Sequence, residues 1–160
     1  MEYIMTPHQA ELNAAEVMKS WGYIDSVATT GGADGGIDVT SRDALAQVKW
    51  RGGAAGRPDL QKLYGARGSG TQQLMFFAAS SYTDQAIEYA DQVKIALFIY
   101  DPVGAVEPVN DSAKLIVTGG AVQSMSPWTA LAIEEILLLI VFTIALVVGA
   151  VFVVYLSAQI

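Results

Sequence analysis

Gly36-Ile37-Asp38-Val39-Thr40-Ser41-Arg42-Asp43-Ala44-Leu45-Ala46-Gln47-Val48-Lys49-Trp50 is the stretch on which the fold turns. Ile37 to Thr40 and Ala44 to Trp50 read as two strands, and Arg42-Asp43 between them supplies a tight turn. In an extended strand Gln47 and Lys49 lie two apart and share a face, while Val48 points into the core. Asp38 lies on the neighbouring strand of the hairpin, so Asp38, Gln47 and Lys49 can converge. A carboxylate and an amide carbonyl oxygen, with a nearby backbone carbonyl, make a hard oxygen site suited to Mg²⁺. A lysine beside it can stabilise charge developing at phosphorus or help position an attacking water.

Upstream, Thr6-Pro7-His8-Gln9 predicts a helix start, with Thr6 as cap, Pro7 in the first turn and Gln9 completing a capping box. The helix runs to about Ser20, and Gly22 ends it. Glu11 shares the face of Ala14, Ala15 and Met18, a carboxylate at the margin of an apolar stripe and the candidate to complete the oxygen site. Gly22-Tyr23-Ile24 is expected to begin a short strand, and residues 31–36 a glycine-rich loop. Downstream, Asp59 to Ala66 reads as a helix and Leu74 to Ala79 as a strand buried on both faces. Thr83 caps a helix through about Gln92, and Ile95 to Tyr100 is another buried strand. The order α-β-β-β-α-β-α-β predicts an α/β domain with a mixed β-sheet flanked by helices. Residues 101–127 are weakly patterned and read as an edge element and a linker.

Composition divides the chain. It is 52% hydrophobic with net charge −7, an acidic balance that excludes a general basic nucleic-acid binder. Arg42, Lys49, Arg51, Arg57, Lys62 and Arg67 nevertheless lie in one stretch whose only acids are Asp43 and Asp59. Such a patch on an acidic body can steer a polyanion to one place. The absence of cysteine excludes disulfides and thiolate metal sites. A single histidine, His8, supports no histidine-based metal site or nucleophile relay and reads as a solvated first-turn residue. Ile136 to Leu156 carries no charge. A helix of that length spans roughly 31 Å, near the bilayer's hydrocarbon thickness of about 30 Å, so one C-terminal transmembrane helix is expected. The start has neither a basic n-region nor an apolar h-region, so the domain before the span is expected to face the cytoplasm.

Asp34-Gly35-Gly36-Ile37-Asp38-Val39 followed by Gln47-Val48-Lys49-Trp50 resembles the catalytic region of the Mrr-like restriction endonucleases in the PD-(D/E)XK nuclease superfamily, the branch with Gln in place of the acid before x-Lys. Glu11 ahead of Gly22-Tyr23, the helix at Asp59-Leu60-Gln61-Lys62-Leu63-Tyr64-Gly65, and Ser81-Tyr82-Thr83 with Ala86 and Ala90 extend the resemblance over roughly residues 6–103. It implies a restriction-endonuclease-like fold, Mg²⁺ as cofactor, Asp38, Gln47 and Glu11 as metal ligands, and Lys49 as the catalytic lysine. DNA is the implied substrate, with Arg51, Arg57 and Lys62 expected to bind it. The expected layout is an endonuclease domain over 1–110, an edge element or linker over 111–130 and a transmembrane helix over 131–157. Mrr-type enzymes often carry a separate winged-helix DNA-reading domain, for which this chain has no length, and the family is normally soluble. Sequence-specific restriction is therefore not implied, and a homodimer or a DNA-reading partner protein is left open. The competing expectation is a catalytically idle nuclease fold that tethers DNA at the membrane.

Overall fold

The computed structural model describes residues 3–29, 36–50 and 52–123. Helix α1 runs Pro7–Ser20 and begins with the expected reciprocal cap: Thr6 accepts from the Gln9 N–H, and the Gln9 side chain accepts from the Thr6 N–H. Ala10, Ala14, Ala15 and Met18 form its buried face. The strands that follow are β1 (Val27–Ala28), β2 (Val39–Thr40) and β3 (Ala44–Lys49). Helix α2 (Arg57–Ala66), β4 (Gln73–Ala78), α3 (Asp84–Val93) and β5 (Ala96–Tyr100) come next, and β6 (Val106–Pro108) and α4 (Asp111–Gln123) close the domain.

The six strands form one sheet in sequence order. The pairs β1–β2, β2–β3 and β5–β6 are antiparallel, whereas β3–β4 and β4–β5 are parallel. Each parallel pair needs a crossover, and α2 and α3 supply them. The sheet separates two apolar clusters. Val39, Ala44, Ala46, Met75, Phe77 and Phe98 pack with α1 and with Ala113 of α4. Leu74, Phe76, Ala78 and Leu97 pack with Leu60 and Leu63 of α2 and Ala86 and Ala90 of α3. Alternation along each strand feeds both layers. Within the second, the Tyr82 hydroxyl lies 2.8 Å from the Phe76 carbonyl oxygen and 2.7 Å from that of Phe98. It therefore ties the segment before α3 to β4 and β5.

Two expectations change. Residues 22–24 form a turn, not a strand, with the Ser26 hydroxyl donating to the Tyr23 carbonyl at 2.7 Å, and the first strand waits until Val27. Residues 111–123, expected as part of an edge element and linker, form α4 packed on β5 and β6. Asn110 fixes its start: Oδ1 accepts from the Ala113 and Leu97 N–H groups, while Nδ2 donates to the Ile95 carbonyl and to Asp91. The apolar segment from Ile136 to Leu156 lies outside the described residues. Among those described, no helix is long and apolar enough to cross a membrane.

Candidate active site

The β2–β3 hairpin positions the central residues. Asp38 immediately precedes β2, and its backbone is paired on both sides: its N–H donates to the Ala46 carbonyl and its carbonyl accepts from the Thr29 N–H, both at 2.8 Å. The side chain turns across the hairpin, so that Oδ2 accepts from the Val48 N–H at 2.7 Å. This bond places a half-buried carboxylate beside the backbone that joins Gln47 to Lys49. Burial pushes the Asp38 carboxyl up, and the negative charge of Glu11 adds to the rise; the Val48 N–H opposes it. Two acids from different elements, one on α1 and one at the hairpin, thus share an electrostatic neighbourhood. Glu11 is 18% exposed, and its Oε2 lies 3.2 Å from His8 Nδ1.

Gln47 and Lys49 leave β3 on the side of Leu45, which packs into the α2–α3 layer. Gln47 Oε1 is buried and has no hydrogen-bond partner. Gly36 makes room for that amide: its φ is +92°, and a Cβ there would lie 2.8 Å from Gln47 Nε2. A buried carbonyl oxygen without a donor costs about 1–3 kcal/mol, and a cation is one ligand that would relieve it. Among the described residues no three His, Cys, Asp or Glu side chains gather. An all-oxygen set would therefore need the Gln47 amide as well as Asp38 and Glu11. The donor chemistry fits a hard divalent ion.

Lys49 is tied to a residue outside the hairpin. Its ammonium does not sit on Asp38; it donates to Asp59 Oδ2 at 2.9 Å. The same oxygen accepts from the Gly56 N–H at 3.0 Å, so the lysine is tied to the first turn of α2. Burial alone would raise the Asp59 carboxyl. The Lys49 and Gly56 hydrogen bonds and the charges of Lys49 and Lys62 outweigh it and hold the group below its ordinary range. At its backbone end, the Lys49 carbonyl accepts from the Ala79 N–H at 3.1 Å and, at a longer 3.4 Å, from the Tyr100 hydroxyl. Burial pushes that phenol up to about 12, so it remains a donor through neutral pH.

Of the basic residues expected on DNA, Lys62 is exposed on α2. Arg57, also exposed, stacks its guanidinium 5.0 Å from the centroid of the Tyr89 ring. Arg51, like Asp34 of the glycine-rich loop, lies outside the described residues. Sequence reasoning missed two contacts. Asp59 stands at the third position of α2 behind Gly56 and Pro58, a capping signal that marks its backbone role but not its reach to Lys49. His8 precedes Glu11 by one helical turn, the spacing at which side chains meet.

A mixed sheet between two helical layers, with acids and a lysine at a hairpin beside its parallel core, is the arrangement of a restriction-endonuclease-like α/β domain. The Mrr_cat family model, described as a restriction endonuclease, matches residues 3–101, and the chain belongs to that family. No curated protein and no solved structure matches the chain. Membership supports a nuclease of the restriction-endonuclease type with DNA as its substrate, in a family that generally uses divalent metal ions.

Proposed function

We propose that the protein is a Mg²⁺-dependent DNA endonuclease, with Asp38, Gln47 and Glu11 holding the ion and Lys49 as the catalytic lysine. The observation that carries this reading is the pairing of two groups at the hairpin. Asp38 is a half-buried carboxylate raised by burial and by Glu11, and Gln47 Oε1 is buried without a partner. Both conditions are relieved by one cation. The ion, when bound, would polarise a phosphoryl oxygen and lower the pKa of a bound water. Lys49 would place a positive charge where negative charge grows on the phosphate. Exposed Arg57 and Lys62, with Arg51, would hold the DNA backbone and carry no sequence information.

The apolar run from Ile136 to Leu156 supports a further part of the reading, a single span that anchors the nuclease domain on the cytoplasmic side. Attack on foreign or incoming DNA at the membrane is the role such an anchor suits. Whether a second copy or a DNA-reading partner adds specificity is part of the same proposal.

The test uses the full chain on plasmid DNA, with and without Mg²⁺, beside Lys49→Ala. Cleavage should stop in EDTA and fall by about 10²–10³-fold in the variant, the loss typical for one group that stabilises transition-state charge. DNA binding should be little changed. Binding without any cleavage would favour the idle tethering fold, and undiminished cutting in EDTA would remove Asp38 and Gln47 from the chemistry.

A further inference from the structure

We propose that Asp59 is the positioning residue for Lys49: it holds the lysine ammonium at the first turn of α2, ready for the DNA phosphate. The inference rests on Lys49 acting in phosphodiester cleavage. Lys49 Nζ donates to Asp59 Oδ2 at 2.9 Å, and that oxygen is itself fixed by the Gly56 N–H at 3.0 Å. The carboxylate is therefore not a free surface group that met a lysine by chance; it is anchored at the N-terminus of α2 by the Gly56 N–H. A lysine has four rotatable bonds and a large rotamer freedom to lose. Ordering it before substrate arrives removes that loss from the reaction.

The pair is also one that DNA can reach. The two side chains are 28% and 32% exposed, and a partly solvated ion pair is held weakly enough for a phosphate to compete for the ammonium. Lys62 acts on Asp59 from the same helix and Arg57 begins that helix, so a backbone phosphate drawn to α2 arrives beside Lys49. The helix N-terminus adds its own preference for an anion. Asp59 does not touch substrate in this scheme; it acts through Lys49.

The experiment compares wild type, Asp59→Asn, Asp59→Glu and Lys49→Ala in the full chain, reading kcat, KM for plasmid DNA and the thermal midpoint. Asn retains an oxygen for the Gly56 N–H but loses the charge paired with Lys49, so the midpoint at neutral pH should fall slightly, by the small amount a partly exposed ion pair contributes. Its kcat should fall about tenfold, as an unordered lysine would cause, while KM is unchanged or lower because a negative charge has gone. Glu keeps the charge at a position where it is the usual capping residue, and should recover most of the activity. An unchanged or raised kcat in Asp59→Asn overturns the inference, as does a Glu variant no better than Asn. If Lys49→Ala is as active as wild type, the assignment of Lys49 fails and takes this inference with it. If Lys49→Ala is inactive and Asp59→Asn is fully active, only the inference fails.

Discussion

Replacing Gly36 by alanine would test the Gln47 assignment without touching a charged group. At φ +92° an alanine sits in a backbone region that costs an L-residue on the order of 1–3 kcal/mol. The new Cβ would also stand 2.8 Å from Gln47 Nε2 and 3.4 Å from its Cδ. The amide is the far end of a flexible side chain, so it can swing aside, and the backbone strain should dominate the loss of stability. For a domain of this size 1 kcal/mol moves the midpoint by about 3–5 °C, giving an expected drop of roughly 3–15 °C. The displaced amide carries Oε1 with it. If that oxygen binds the ion, metal affinity should fall by about 10–100-fold, the range for disturbing a metal site's support. The assay is plasmid nicking across a Mg²⁺ titration at a temperature where both proteins are folded. The Gly36→Ala curve should be displaced to higher Mg²⁺ and approach wild-type rates at saturation. A lowered midpoint of unfolding with an unmoved Mg²⁺ curve would refute the role given to Gln47.

Three further outcomes follow from other parts of the molecule. Arg57→Ala and Lys62→Ala should each weaken DNA binding for all sequences alike and reduce the salt slope by about one unit, measured by titration at several salt concentrations; an unchanged slope would place the DNA elsewhere. Asp59, whose carboxyl is held below its usual 3.8, contributes stability that is complete above that value and is lost as pH falls through its lower folded value. Thermal midpoints taken from neutral pH to well below 3.8 should therefore fall less steeply in Asp59→Asn than in wild type, and parallel curves would show that the Lys49 pair adds nothing. Full-length protein should fractionate with membranes and resist carbonate extraction while the truncated chain 1–127 stays soluble; digestion of the N-terminal domain by protease added to spheroplasts would reverse the proposed topology.

The parts of the fold legible from sequence were those decided locally. Thr6, Pro7 and Gln9 specify the start of α1 by bonds within four residues. The continuous apolar runs of β4 and β5 announce strands buried on both sides, and Thr83 marks α3 by a cap that forms as expected, accepting from the Ala86 N–H at 3.2 Å. The failures were decided at a distance or by a competing local bond. Tyr23 and Ser26 close a turn on each other where apolar residues suggested a strand. Helix α4 contains Thr118, Gly119 and Gly120, poor helix formers. It is held by Asn110, whose partners Ile95 and Leu97 lie on β5 and its approach, and by the burial of Ala113. In the site, the spacing of Asp38, Gln47 and Lys49 identified the hairpin but not where each head group goes. The lysine's direction is set by Asp59 on a different element, a contact no period in the sequence encodes.

On the proposed reading, the same division lets the site be stable before DNA and metal arrive. Its negative side is the carboxylate of Asp38, with Glu11 near it and the Gln47 oxygen unsatisfied. Its positive side is Lys49, which is held by Asp59 on α2. Were Lys49 to pair with Asp38 directly, the acid would lose the repulsion that favours a cation and the lysine would be masked by a group it must work beside. Separate partners avoid this. The Val48 N–H supports Asp38 without neutralising it, since a backbone dipole lends a hydrogen bond and no net charge. Asp59 does neutralise Lys49, but in a partly exposed pair that a phosphate can replace. The acidic half is thus left short of positive charge and the basic half is given a partner of the kind that DNA itself supplies. On the proposed reading, a divalent ion and a phosphodiester would answer these two conditions together.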